Sequence, residues 1–390
     1  MLAIEDGVAL APRLGCQVKR RPTIETVAKQ AGVSRQTVSN AANAPHRLRP
    51  ETLRKVLGTI DELGYRPSQA ARSLRTRSTQ VIGCRLLPHD HAGTGGILDR
   101  LLHALCDAAR ANGYNVLTFS AGSDDEEIEV FDDLLRRHTV DGFVLANTHH
   151  GDARPGWLLE QGGRFVAFGR PWGAEHSHHP WVDVDGAAGT AAAVEHLAEL
   201  GHSRIGFIGF PEGSGVGDDR SRGWEQGMAG LHLPSVGLVV RGEGGLASGR
   251  ALADQLLSTG DGVTALVCVS DAMAVGAMRA VEDHGGRVGV DVAVVGFDDS
   301  PAASLLRPRL TSVRQPIESV AHNLVEMLIA TLARPSRRVS HLLLPPTLVV
   351  RESSGEGVAS SSGQVASRKR AGGKSPQDTL PGSNRKEQTK

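Results

Sequence analysis

From Val81 to Phe297 the chain alternates short apolar runs with longer stretches whose apolar residues recur at helical spacing. "VIGCRLL", "NVLTF", "VDGFVLA", "RFVAFG", "WVDV", "RIGFIGF", "VGLVV", "ALVCV" and "VAVVGF" read as about nine strands. Residues 97–112, 124–138, 186–200, a segment from about Ser221, 245–259 and 271–285 read as the helices among them. Continuous apolar strands joined through helices demand parallel sheets, because a parallel neighbour needs a long crossover and the helices then cover both faces. Nine strands at this spacing are many for one open sheet. The expectation is therefore an α/β core of two similar doubly wound lobes around a cleft.

The segment ahead of this core is different in kind. "TIETVAKQAG" places Ile24, Val27, Ala28 and Ala31 on one helical face, with Thr23 as N-cap and Gly32 as stop. "SRQTVSNAAN" begins again from Ser34, with Val38, Ala41 and Ala42 as its apolar side. "PETLRKVLGTIDELGY" opens with Pro50 in its first turn and runs to Gly64. Three short helices with Gly-Val between the first two outline a small all-α helix-turn-helix head.

Charge separates the two parts further. The whole chain carries 43 Lys/Arg and 43 Asp/Glu, yet 13 of the basic and only 4 of the acidic residues fall between Lys19 and Gln80. The body is therefore acidic, and a basic module on an acidic one points to a polyanion partner for the module alone.

At 390 residues, 40% hydrophobic and 22% charged, the chain can bury a sizeable core in two to three domains. Cys16, Cys84, Cys106 and Cys268 form no CxxC pair, so free buried thiols in a reducing compartment are expected. No apolar run approaches the roughly 18 residues of a membrane span, and Glu5 and Asp6 stand where a signal peptide needs positive charge. The expected location is the cytoplasm. The expected organisation is a disordered extension over 1–21, the head over 22–66, a hinge or linker over 67–79, the core over 80–352 and a disordered polar tail over 353–390. That tail lacks leucine heptads, which favours a homodimer over a coiled-coil tetramer.

The second short helix carries chemistry suited to the basic module. With Ser34 as cap, Arg35, Gln36 and Thr37 form its first turn, and Asn40 lies one turn beyond Gln36 on the same face. Arg pairs bidentately with guanine, and Gln or Asn with adenine, in the major groove. Ser34, Thr37 and Ser39 offer hydroxyls to phosphate oxygens. An ordinary polar helix face is the plainer alternative.

"TIETVAKQAGVSRQTVSNAAN" followed by "RPETLRKVLGTIDELGYRPSQAARSL" resembles the DNA-binding head of the LacI/GalR family of bacterial transcription regulators. The resemblance continues through "VDGFVLA", "HLAELGHSRIGFIG", "SDAMAVGAMRAV", "DVAVVGFDDSPAASLLRPRLTSVRQP" and "LLLPPTLVVRES". It spans Thr23 to about Ser353.

That resemblance implies roles at individual positions. Arg35 and Gln36 match the base-reading pair, while Asn40 stands where the family usually has Arg, so the operator should differ there. Ser34, Thr37, Ser39, Asn43 and Tyr65 match backbone-contacting or head-packing positions, and Arg49 replaces the usual Ser cap of the third helix. "SQAARSL" resembles the hinge helix that forms when two subunits meet over the minor groove, with Leu74 as the apolar wedge and Arg72 beside it supplying phosphate charge. The core resembles a periplasmic-binding-protein-like dimer whose lobes close on a small effector.

Asp185, Arg220 and Asp298 match cleft positions, and two carboxylates with a guanidinium suit a sugar or related polar metabolite. Trp224 offers a stacking face. Ser270, beside Asp271, replaces a common Asn, and Gly186 replaces another; both count against an ordinary sugar. "PHDHAGTGG" lacks the family's usual aromatic.

Histidines recur in three first-lobe loops, at His89 and His91, His149 and His150, and His176, His178 and His179. No metal and no cofactor is expected from them. The expectation is a sequence-specific DNA-binding regulator, a repressor by preference, that binds a pseudo-palindromic operator as a homodimer and answers to a small effector. A solute-binding protein would need a signal peptide and has no use for the head. An enzyme on the same core would need a constellation that is not visible: neither "GTGG" nor "GFIGFPEG" makes a GxGxxG or GxxxxGK[ST] loop.

Overall fold

In the computed structural model, residues 22–66, 78–86, 95–173, 178–260, 262–333 and 340–355 are described. The expected 1–21 extension, nearly all of the 67–79 hinge with Arg72 and Leu74, the loop bearing His89 and His91, His176, and all but the start of the tail lie outside them. The chain divides into two compact units at Gln80–Val81.

The described residues of the first unit form α1 Ile24–Ala31, α2 Arg35–Asn43 and α3 Pro50–Leu63, with a short 3-10 turn at Pro45–Arg47. Thr23 caps α1 through a reciprocal pair with Thr26, and Gly32 ends it at φ 64°. A side chain at that φ would be strained, so glycine is the residue that allows α2 to follow so closely. The Ser34 hydroxyl accepts from the Thr37 N–H to cap α2, whereas Arg49 makes no side-chain cap on α3. Val27, Ala28, Ala31, Val38, Ala41 and Val56 form the core, with Tyr65 against it. Ala42 is exposed, although its spacing suggested the apolar side. The buried stripe of α2 is narrow, and residue 42 turns past it.

The second unit contains two six-stranded sheets. The first comprises β1 Val81–Leu86, β2 Asn115–Ser120, β3 Gly142–Leu145, β4 Phe165–Phe168, β5 Trp181–Val184 and β11 His341–Leu344. The second comprises β6 Ile205–Gly209, β7 Val239–Arg241, β8 Ala265–Cys268, β9 Ala293–Asp298, β10 Thr311–Arg314 and β12 Thr347–Val349. Their orders are β11-β5-β4-β3-β1-β2 and β12-β10-β9-β8-β6-β7, parallel throughout except where β12 runs antiparallel to β10. Twelve strands among the described residues replace the expected nine. β10, β11 and β12 are only three or four residues long, and no helix-length pattern follows β11 or β12 to announce them.

The helices are α4 Gly95–Ala111, α5 Asp124–Arg136, α6 Arg154–Glu160, α7 Gly186–Glu199, α8 Val216–Gly230, α9 Leu246–Ser258, α10 Asp271–Asp283, α11 Pro301–Leu305 and α12 Ile317–Ala333. α8 starts well before Ser221, because Gly215 at φ 64° and the Ser214 hydroxyl, which accepts from the Gly217 N–H, turn the chain into the helix within a glycine-rich stretch. α4 and α12 bury Leu101, Leu105, Leu324 and Leu328 against the first sheet. Phe131 and Leu158, from α5 and α6, pack with Phe143 and Phe165 in a separate cluster. The second sheet is covered by α7 with α8 and by α9 with α10. Gly223 touches the Ala187 backbone and Gly276 the α9 backbone, so these helices pack without intervening side chains.

The chain crosses between lobes three times: at Asp185, at Gln315–Pro316, and at Pro345–Pro346. Three strands of connection at one edge make a hinge rather than a weld. The C-terminal strand ends of both sheets face the space beside it. In each sheet the strand order reverses at its first strand, the place where open α/β sheets bind ligands. None of the described helices is long and apolar enough to cross a membrane.

Candidate functional site

In the head, Arg35, Gln36 and Ser34 are exposed, and Ser39 and Asn40 are partly so. Gln36 Nε2 donates to Asn40 Oδ1 at 2.9 Å, making one hydrogen-bonded amide pair of the two. Arg35 meets Glu25 of α1 at 3.1 Å, with side chains 68% and 67% exposed. Such a pair is worth about 1 kcal/mol at most and leaves the guanidinium available. Asn43 donates to the Ser39 carbonyl at 2.8 Å and so closes the last turn of α2. Tyr65 packs on the head core, where burial raises its pKa. Lys29, Arg47, Arg49, Arg54 and Lys55 are also exposed, so the head presents many cations around a polar helix face.

In the core, a cavity of about 560 Å³ opens between the lobes. From the first lobe it is lined by Asn147, Thr148 and His149 beyond β3, Phe168 and Gly169 at the end of β4, and Ile97 and Leu98 of α4. From the second lobe come Phe210 to Ser214 beyond β6, Glu243 and Gly244 beyond β7, Asp298 at the end of β9, and Arg220 of α8. Gln315, at a crossover, completes the wall.

Arg220 and Asp298 are therefore brought together as expected cleft residues. The Arg220 guanidinium is buried over the Phe297 ring at 3.6 Å from its centroid. Nη1 donates to the Val269 carbonyl at 2.6 Å, Nη2 stands 3.7 Å from Asp298 Oδ1, and Nε has no partner among the described residues. Burial pulls the Arg220 pKa down, and the carboxylates of Asp298, Asp183, Asp219 and Asp271 oppose it.

Asp298 accepts from Gln315 Nε2 at 2.7 Å, and burial pushes its pKa up to about 6 despite Arg220. Its φ of 110° is unusual for a residue with a side chain, and Asp299 follows at 47°. Such a turn persists only where its surroundings hold it.

Asp271 is one of those surroundings. It accepts from the Ser300 N–H at 2.6 Å and from the Ser312 hydroxyl at 2.5 Å, and Ser312 in turn accepts from the Asp299 N–H. Burial and the neighbouring Asp298 charge push the Asp271 pKa up to about 7.

The remaining expected effector residues have other work. Trp224 is 1% exposed and packs against Phe207 in the second-lobe core, so it offers no stacking face to the cavity. Its place on α8 is one turn from Arg220, on the side facing the sheet. Ser270 is wholly buried and caps α10 by accepting from the Met273 N–H. Asp185 caps α7 by accepting from the Ala188 N–H at 2.9 Å. Asp271 lies behind the cavity wall rather than in it.

Gln315, Asn147, Thr148, Phe168, Phe210, Glu212 and Glu243 also line the cavity, although residue type alone does not mark them. All seven lie at, or within three residues of, the C-terminal end of a strand, which is the signal that marks them.

His149 lies in the wall with both ring nitrogens engaged: Nε2 meets Asp124 at 2.7 Å and Nδ1 meets the His150 carbonyl at 2.9 Å. Burial lowers its pKa, but these hydrogen bonds and the Asp124 charge leave it raised. His149, Asp124 and Asp152 offer ligand atoms within 4.8 Å of one another. Both carboxylates are already held by guanidiniums, Asp152 by Arg154 at 2.7 Å and Asp124 by Arg85 and Arg154 at 3.5 Å. His179 is buried against the Phe165 ring, and burial pushes its pKa down to about 4.

A basic helix-turn-helix head joined to a two-lobed, periplasmic-binding-protein-like core defines a DNA-binding transcription regulator. Residues 23–68 match the model for bacterial regulatory proteins, lacI family, and residues 194–354 match the periplasmic binding protein-like domain. The chain is 34% identical over 342 residues to the HTH-type transcriptional regulator CelR of Thermobifida fusca, covering 86% of this chain and 99% of that one. A solved CelR–cellobiose complex superposes with a TM-score of 0.66 at 31% identity, over 85% of this chain and all (100%) of that one. The lac repressor dimer bound to operator and an anti-inducer superposes with a TM-score of 0.74 at 25% identity, over 86% and 99% of the two chains. The chain belongs to the lacI family of bacterial regulatory proteins.

Proposed function

We propose that the protein is a cytoplasmic, homodimeric repressor whose operator affinity is set by a small polyhydroxylated effector bound between the lobes. The observation that carries the effector reading is Arg220. A buried guanidinium in a cavity wall, with Nε unpartnered among the described residues and Nη2 too far from Asp298 for a hydrogen bond, calls for a ligand oxygen. Arg220, Asp298 and Gln315 would hold adjacent hydroxyls, with Asn147 and Thr148 facing them from the first lobe. Phe168 and Phe210 supply apolar walls, which a sugar ring's C–H face can use. A cavity of about 560 Å³ accommodates one or two sugar rings. The cellobiose complex of CelR supports that size class.

On DNA, Arg35, Gln36 and Asn40 read base edges, while Ser34, Thr37, Ser39 and the exposed cations hold phosphates. Asn43 and Tyr65 keep α2 and the head in shape. Arg72 and Leu74 of the hinge, proposed on the resemblance to the family alone, add a minor-groove wedge. The domain boundaries are proposed at 22–66, 67–79 and 80–352. The role proposed for the cavity is binding, with the effector released unchanged.

The test combines calorimetry with operator binding. Cellobiose and a panel of neutral mono- and disaccharides are titrated into full-length protein, and a duplex selected from random DNA is titrated with and without each. One sugar should bind stoichiometrically and change operator affinity about 5- to 150-fold. Operator affinity indifferent to every sugar, or steady conversion of one to a product, would overturn the reading.

A further inference from the structure

Arg170 follows β4 in the first lobe and reaches both sides of the hinge. Its Nε donates to Asp183 Oδ2 at 2.6 Å, and its backbone N–H donates to the same oxygen at 3.3 Å. Nη2 donates to the Val184 carbonyl at 3.3 Å, immediately before the crossover at Asp185. The same Nη2 donates to Asp219 Oδ2 at 3.3 Å, on α8 of the second lobe.

Asp219 is itself a junction. Its Oδ2 accepts from the Ala187 N–H, in the first turn beyond the crossover, at 3.1 Å, and its Oδ1 is held by Arg222. The next residue of α8 is Arg220 of the cavity. Asp219 is 3% exposed, and the Asp183 and Arg170 side chains are 9% and 21% exposed, so this is a largely desolvated contact. Breaking one partner of such a pair costs far more than breaking a surface pair.

Other contacts also cross between the lobes. His150 Nε2 lies 3.9 Å from Asp218 Oδ2, and the Trp172 indole lies over Gly215, where a Cβ would stand 2.7 Å from the ring. Arg100 of α4 donates to the Asp298 carbonyl at 3.3 Å. Among the described residues only Arg170 joins the last strand before the crossover, the first turn after it through Asp219, and the helix that carries Arg220.

We propose that Arg170 and Asp219 are the positioning pair through which a change at the effector cavity is passed to the first lobe and the hinge. A ligand oxygen drawn onto Arg220 moves the first turn of α8, and Asp219 moves with it because the two are consecutive on a rigid helix. Arg170 then shifts against Asp183 and Val184. The proposal rests on the effector reading of the cavity but can fail separately from it.

Coupling between two sites is reciprocal, so operator binding must alter the cavity if the cavity alters operator binding. The test therefore uses DNA as its probe. Full-length protein is mixed with a duplex selected from random DNA, and backbone hydrogen exchange is followed over residues 183–187 and 216–222. In the wild type, operator should change exchange in both segments by at least threefold. In Arg170→Met the change at 216–222 should vanish, while operator affinity stays within threefold of wild type and exchange in β8 and β9 is unaltered. Arg170→Lys, which reaches Asp183 or Asp219 but not both, should restore an intermediate response. Asp219→Asn keeps shape while losing charge; it should behave as Arg170→Met does and serves if that variant fails to fold.

A wild-type response at 216–222 that persists in Arg170→Met and Asp219→Asn overturns the pair. So does a wild type in which operator leaves 183–187 and 216–222 unchanged. Sugar binding by calorimetry with an absent exchange response would retire this proposal alone. A persistent exchange response with no sugar bound would retire the effector reading alone.

Discussion

Arg220 Nη2 and Asp298 Oδ1 face each other across 3.7 Å at the cavity wall, close enough for charge attraction and too far for a hydrogen bond. Each keeps hydrogen-bonding capacity for a third group placed between them. Arg220→Ala should therefore weaken binding of the effective sugar about 10- to 100-fold, since a hydrogen bond to a charged group contributes about 1.5–3 kcal/mol. Operator affinity without sugar should be unchanged. Calorimetry and a DNA titration on the same preparation check both halves, and undiminished sugar binding removes Arg220 from the site.

The buried acids make the core pH-sensitive. Asp271 and Asp298 are raised from 3.8 to about 7 and about 6, chiefly by burial. The folded state then holds protons that the unfolded chain releases, so stability falls as pH rises from about 4 to about 7. Asp271→Asn should flatten thermal unfolding temperature across that window. Sugar affinity should move oppositely, because a hydroxyl donates more strongly to the Asp298 carboxylate than to its protonated acid: binding weakens below about pH 6. Equal affinity at pH 5 and pH 8 would exclude Asp298 as the acceptor.

On α2 the 2.9 Å bond from Gln36 Nε2 to Asn40 Oδ1 uses one Gln36 N–H and one of Asn40's two oxygen lone pairs, so Gln36 keeps its oxygen and second N–H for a base edge while Asn40 offers chiefly its N–H groups. One member should read adenine bidentately while the other donates only to an acceptor edge, guanine or thymine O4. Gln36→Ala and Asn40→Ala should each cost about 1–3 kcal/mol of discrimination. The double variant should cost less than the sum. Additive losses on the selected operator would mean that the two read independently.

Trp224 separates a core role from a ligand role. Its burial against Phe207 predicts that Trp224→Ala loses about 3–5 kcal/mol of stability. Trp224→Phe should fold with a smaller loss and bind sugar as wild type does. A large loss of sugar affinity in a stably folded Trp224→Phe would return the indole to the pocket.

What the sequence by itself determined was local and periodic. Caps at Thr23 and Ser34, the stop at Gly32, and apolar spacing in α1 to α3 are written within a few residues, and they define the head. The long strand–helix alternation likewise defines a two-lobed parallel core, since few other arrangements bury such strands. The short strands β10 to β12 left no comparable trace. They are held by neighbours far away in the chain rather than by their own pattern.

Only the tertiary structure decided which polar residues face the cavity. Arg220 and Trp224 lie one turn apart on α8, and packing sends the first to the cleft and the second to the core. Asp271 and Asp298 are both buried acids, yet the turn at Asp298 brings one to the cavity wall and leaves the other supporting it. Gln315 reaches the site because a crossover passes there, and Arg170 meets Asp219, 49 residues away, because two lobes close on one hinge. Such pairings depend on long-range geometry, which residue type and spacing do not encode. Periodicity specifies which face of an element is buried; the packing of distant elements specifies what the other face meets.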